Sequence, residues 1–325
     1  MDFRTYVELP KKELEIKHTN GLLLLGSCFA ENIGNLLMDN KFDCDVNPFG
    51  VLYNPLSILE GLQEIYDGKV YEEADLFFYK EAYHSYMHHS SFSNISSKVC
   101  LNNINTRLNS ATNKLIQTNY LLITFGTAFV YELKDSGQIV ANCHKLPDKS
   151  FTRRLLSVNE IVEAYTSFIT IHPDKKILFS VSPIRHVKDG MHGNQLSKAT
   201  LLMSIQQLQE AFPNSVYYFP SYELMMDELR DYRFYADDML HPSALAINYL
   251  WNCFVKSYFS RETQQFIKEW TEIKKALNHK PFQVSSQQYK TFLRQIVLKI
   301  EGIKEKCPYL DVEKELKLCR ILLTQ

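Results

Sequence analysis

Residues 22–25 are four consecutive leucines, closed by Gly26. A short run that is apolar at every position and bounded by glycine predicts a strand buried on both faces. From Cys28 the period changes. Phe29, Ile33, Leu36 and Leu37 recur at helical spacing, which predicts a helix to about Asp39. Ser27 therefore stands where a buried strand turns into a helix. A serine there most often serves as a helix cap. The same place also offers backbone N–H groups to a developing negative charge.

The same alternation continues along the chain. Residues 120–124, 176–181 and 215–219 read as strands. Residues 56–66, 102–117, 157–169, 195–212 and 222–229 read as helices, and Ser157 with Glu160 forms a capping box. Strands separated by helices of ten or more residues imply βαβ units, hence an α/β fold with a mostly parallel sheet covered on both faces. Ligands of such sheets bind beyond the carboxyl ends of the strands. Ser27, Gly126-Thr127 and the polar loop 182–192 all lie just past strand ends, on one edge. Residues 45–55, with two prolines and a glycine, read as an ordered loop. Residues 68–80 suggest a strand pair, and 128–142 a hairpin turning at Lys134-Asp135-Ser136-Gly137.

At 325 residues, one main domain with an appendage is the expectation: an arm over 1–20 with a short strand near 5–9, a main domain over 21–259, and a helical extension over 260–325. The extension is rich in lysine and glutamate and reads as an appendage or a homo-oligomer contact. The net charge is −1 with no long block of one sign, which argues against nucleic acid as a partner. The 7 cysteines form no C-x-x-C pair and point to reduced thiols in a cytoplasmic protein. No run is apolar for 18 residues and the first twenty lack a signal peptide's apolar core, so membrane spanning and export are not expected.

A second stretch carries chemistry: Tyr235-Ala236-Asp237-Asp238-Met239-Leu240-His241-Pro242. Pro242 suits the first turn of a helix running to about Tyr258. A carboxylate three residues before a histidine can fix the imidazole, and an imidazole can activate a hydroxyl such as that of Ser27. Asp237 is the competing carboxylate. His84 and His88 have the spacing of two metal ligands on a helix, but no helix and no third ligand accompany them, so no metal is expected. Cys28 at a helix start is a candidate thiol nucleophile, with packing under the turn as its ordinary role. Arg185 and His186 are candidates for holding an anionic or sugar part of a substrate.

Several of these segments, in order, resemble the GSCFA family, a branch of the SGNH (GDSL-like) hydrolases. They are Gly26-Ser27-Cys28-Phe29-Ala30, Asn47-Pro48-Phe49-Gly50, Tyr53-Asn54-Pro55, Phe125-Gly126-Thr127-Ala128, Asn142-Cys143-His144-Lys145, Ser182-Pro183 with Arg185-His186, and Asp238-x-x-His241-Pro242-Ser243. The resemblance covers roughly residues 20–255. It implies a flavodoxin-like three-layer α/β/α sandwich, with Ser27 as nucleophile, His241 as base and Asp238 as its orienting partner. It also implies an oxyanion hole made from the Ser27 N–H, the Gly50 N–H and a third donor. The superfamily's G-x-N-D is replaced here by Gly126-Thr127-Ala128-Phe129, so the third donor is expected from Thr127, Asn142 or His144.

The resulting expectation is a serine esterase or acyltransferase that passes through an acyl-enzyme, with a small-molecule or carbohydrate ester, such as an O-acetyl sugar, as substrate. No cofactor is implied. The alternative is a binding or interaction protein on a hydrolase scaffold, since the third donor block is altered.

Overall fold

The computed structural model describes every residue except 1–3, 11–13, 280, 284 and 325. The strands are β1 (Leu22–Gly26), β2 (Cys44–Val46), β3 (Phe77–Tyr79), β4 (Ala82–His84), β5 (Tyr120–Phe125), β6 (Phe129–Leu133), β7 (Ile139–Val140), β8 (Phe151–Leu155), β9 (Lys176–Val181) and β10 (Val216–Phe219). The helices are α1 (Cys28–Asp39), α2 (Pro55–Asp67), α3 (Ser97–Ile116), α4 (Val158–Ile171), α5 (Gly190–Ala211), the short α6 (Ser221–Glu223), α7 (Ala244–Tyr258), α8 (Arg261–Leu277), α9 (Gln287–Lys306) and α10 (Glu313–Thr324).

The central sheet is parallel, with strand order β10-β9-β5-β1-β2. This is the doubly wound order whose switch point lies between β1 and β5, and ligands of such sheets bind at that crevice. Alternate leucines of β1 feed two different cores. Leu23 and Leu25 pack with α2, α3, α4 and α5. Leu22 and Leu24 pack with α1, α7 and the C-terminal helices. All four are at most 1% exposed, so truncating any of them to alanine costs about 2–5 kcal/mol. Helices cover both faces of the sheet, as the alternation predicts, and make the α/β/α sandwich that the resemblance implies.

The C-terminal helices belong to the second of these cores through Trp270, Leu293, Ile300 and Leu316. The Trp270 indole N–H donates to the Asp39 carbonyl at 3.0 Å. This region is packed onto the body through α1. The arm follows the same face: the Ile16 N–H donates to the Tyr258 carbonyl at 2.7 Å, and Leu14 and Ile16 are buried. Residues 5–9 form no strand; parts of the expected arm, 1–3 and 11–13, lie outside the described residues.

Other differences have local causes. β2 lies at the edge of the expected 45–55 loop and was hidden by its polar Asp45, which Arg107 grips at 3.0 Å. The aromatic strand pair sits at β3 and β4, C-terminal to its expected place, because Lys80 and Glu81 make the turn at positive φ without a glycine. β8 was not foreseen. It pairs antiparallel with β6, and with β7 it completes a small three-stranded sheet. The helix expected at 222–229 is α6 continued by a π-turn, Leu224–Glu228. Pro242 is not helical. It bridges to Tyr235, and α7 starts two residues later, capped by the Ser243 hydroxyl.

Candidate active site

A cleft of about 600 Å³ opens beyond the carboxyl ends of β5 and β9, with the small β7-β6-β8 sheet on one side. Of the residues singled out in the sequence, Thr127, Asn142, Arg185, His186 and His241 line it, and so does Cys28. Asp238 stands behind His241. Ser27, Gly50 and His144 are not part of its lining.

The turn holding Ser27 is set by Gly26. Its φ is +136°, and a Cβ there would lie 2.2 Å from the Thr124 carbonyl oxygen. The Gly26 N–H donates to Asn47 Oδ1 at 2.9 Å and the Ser27 N–H to the Thr124 carbonyl at 3.1 Å. Ser27 is 1% exposed, and its Oγ accepts the Phe29 N–H at 3.3 Å as the N-cap of α1. Among the described residues it makes no hydrogen bond with His241. The next residue, Cys28, is half-buried and reaches the cleft. Burial pushes its thiol pKa up.

The pairing of Asp238 with His241 is built locally. Asp238 Oδ1 accepts the backbone N–H groups of Leu240 and His241, both at 2.9 Å, and Oδ2 meets His241 Nδ1 at 2.5 Å. These N–H groups, that of His241 foremost, hold the Asp238 carboxyl down to about 2. The loop is closed by the Ala236 N–H on the His241 carbonyl at 2.7 Å, with Met239 at φ +60° in its turn. Asp237 makes no bond to the ring, which settles the competition between the two aspartates as neighbours of His241.

The expected oxyanion donors are mostly committed. The Ser27 N–H is spent on Thr124. The Gly50 N–H is spent on the Asn47 carbonyl at 2.8 Å, and the bare Cα of Gly50 packs against His89. The Thr127 N–H donates to the Tyr53 carbonyl at 3.0 Å, and its hydroxyl pairs with Ser197 Oγ at 3.0 Å. His144 is buried elsewhere, its Nε2 2.8 Å from the Ser85 carbonyl. At the cleft, the Asn142 amide and the Cys28 N–H are open. The Asn142 side chain accepts the His144 N–H at 3.0 Å through Oδ1, and its Nδ2 has no partner among the described residues. The Cys28 N–H opens α1 with no backbone partner there.

Arg185 Nη1 donates to the Tyr235 hydroxyl at 3.1 Å, tying the loop after β9 to the histidine loop. His186 is pushed down to about 4, first by burial and then by nearby cations, so its ring is neutral at pH 7. His84, His88 and His89 each pair separately, with Ser93, Ser85 and Ser91. No group of three His, Cys, Asp or Glu among the described residues is placed to hold a metal.

Lys198 was missed. Fully buried, its Nζ donates to the Gly126 carbonyl at 2.7 Å and the Ser182 carbonyl at 2.9 Å, clasping the ends of β5 and β9 under the cleft. A signal was present. The inward stripe of α5, Leu208, Ile205 and Leu201, continues at helical spacing to Lys198 and Asn194, polar residues where apolar ones belong.

Two family models match the chain. One is described as GSCFA family, over residues 21–254. The other is described as GSCFA domain protein, C-terminal domain, over residues 270–325. No curated protein matches it. No helix among the described residues is long and apolar enough to cross a membrane.

Proposed function

The chain belongs to the GSCFA family, and on that premise we propose that it is a serine esterase or acyltransferase. Ser27 is its nucleophile, His241 its base and Asp238 the partner that orients the base. The observation that carries this reading is the Asp238–His241 pair on the wall of the cleft that also takes in Cys28, the residue after Ser27.

With Nδ1 held by Asp238, Nε2 is the nitrogen left to take a proton. Ser27 Oγ turns from its capping position toward the cleft, a move between staggered rotamers. It gives up one 3.3 Å hydrogen bond, at a cost of about 1 kcal/mol. Oγ then attacks the ester carbonyl as His241 Nε2 takes its proton. The oxyanion meets the Cys28 N–H at the start of α1 and the Asn142 amide. Collapse expels the alcohol, which takes the proton from His241, and leaves an acyl group on Ser27. Water or an acceptor hydroxyl, deprotonated by His241, releases it. The ester is an O-acetyl group on a carbohydrate, for which a cleft of about 600 Å³ has room. The free cysteines along the chain fit a reducing compartment, the cytoplasm.

A second reading has an observation in its favour. The N–H groups of Ser27, Gly50 and Thr127 are all committed to carbonyls, as suits a binding protein on a hydrolase scaffold. A fluorophosphonate probe separates the two. Labelling that maps to Ser27 by peptide mass spectrometry, and disappears in His241→Ala, supports the esterase. A chain that stays unlabelled while folded favours the binding protein.

A further inference from the structure

We propose that the molecule bound in the cleft carries an anionic group, a carboxylate or a phosphate, held by Arg185 and Lys188. The proposal takes from the esterase reading only the choice of cleft.

The cleft carries uncompensated positive charge. The cleft is lined by four cations, Lys145, Arg153, Arg185 and Lys188, and by two carboxylates, Asp148 and Asp189. The Asp189 side chain is only 2% exposed and is ion-paired with Arg153. The Arg153 guanidinium also lies over the Phe129 ring, 4.1 Å from its centre. That pair is spent within the wall. Asp238 is bonded to His241 behind the lining and keeps its negative charge, while His186 is uncharged at pH 7. What remains is Lys145, Arg185 and Lys188 against Asp148 and Asp238.

None of these three cations has a carboxylate within 4.0 Å among the described residues. Arg185 is held by a neutral phenol, that of Tyr235. Lys188 lies over the Tyr131 ring, 5.1 Å from its centre. In a chain whose net charge is −1, an excess of cations in one concavity attracts and retains anions. The fork of Arg185, steadied through one nitrogen, keeps further N–H groups for a planar carboxylate or a phosphate. The rings of Phe129 and Tyr131, two apart on β6 and therefore on one face, give a carbon skeleton an apolar wall.

The test is binding to the full chain carrying Ser27→Ala, which removes turnover. Calorimetric titrations with glucuronate, glucose 6-phosphate and glucose isolate the charge. At least one anion is expected to bind at least about tenfold more tightly than glucose and to weaken as salt is raised. The anion that does so names the group. Arg185→Gln with Lys188→Gln is expected to abolish the preference. Glucose binding as tightly as both anions, saturable binding by neither anion, or a preference that survives in the folded double variant would overturn the proposal. An inert Ser27 would remove the esterase reading and leave these titrations unaffected.

Discussion

Asp238 holds His241 at two points: its Oδ1 accepts the backbone N–H at 2.9 Å and its Oδ2 meets ring Nδ1 at 2.5 Å. The pair is half-exposed, so it contributes to orientation far more than to folding. Asp238→Asn is expected to lower kcat by about 10³–10⁴ by disturbing the tautomer. Its melting temperature should stay near wild type. A kcat within a few-fold of wild type would remove Asp238 from the mechanism.

Ser27 has two jobs in this account, nucleophile and helix cap. Ser27→Ala is therefore expected to cost about 1 kcal/mol of stability in urea unfolding as well as activity. Ser27→Gly, which keeps most of the capping preference, should lose only a few tenths while being equally inactive. Equal destabilisation of both variants would mean that the cap contributes little.

Gly26 ends β1 opposite Thr124 of β5. With a Cβ 2.2 Å from the Thr124 carbonyl at φ +136°, Gly26→Ala is expected to cost more than about 3 kcal/mol. Gly68→Ala, at φ +61° with nothing within 4 Å, should cost about 1 kcal/mol. Thermal melts of the two proteins side by side check this order.

Burial pushes the imidazoles of His88 and His186 down to about 3 and about 4. As pH falls below the ordinary histidine value, the unfolded chain takes up protons that the folded chain refuses. Stability is therefore expected to fall from pH 6.5 toward about pH 4, and His18, His144 and His172, also lowered by burial, steepen the fall beyond what these two rings give. Urea midpoints over this range measure it, and His88→Phe should make the curve shallower. A flat profile would contradict the burial of neutral rings.

Lys198 has a consequence of the same sign at alkaline pH. Burial pushes its amine down to about 7. Between that value and the ordinary lysine range the unfolded chain binds the extra proton, so stability attributable to this group rises with pH. The stability of wild type relative to Lys198→Met should increase from pH 7 to about pH 9.5. A difference that does not change with pH would mean that the amine stays charged in the fold.

How much of this was legible in the sequence follows the range of the interactions. The turn at Ser27 was readable because Leu22 to Leu25 must satisfy two cores at once, and only a central parallel strand does so. The Asp238–His241 pair was readable because three residues of one loop build it. β8 was not readable, because Thr152 and Arg153 interrupt its apolar pattern. Which of the expected oxyanion donors are already bonded was not readable, for a different reason. Whether the N–H groups of Gly50 or Thr127 are free depends on where the Asn47 and Tyr53 carbonyls cross them, which no local pattern reports. Lys198 was passed over because a charge in a helix is ordinarily solvated.

The most direct test is the pre-steady-state burst with p-nitrophenyl acetate, for wild type, Ser27→Ala and His241→Ala. A burst of about one nitrophenol per chain is expected in wild type, and none in either folded variant. A burst that survives Ser27→Ala, or its absence from a folded wild type, would contradict Ser27 as the nucleophile.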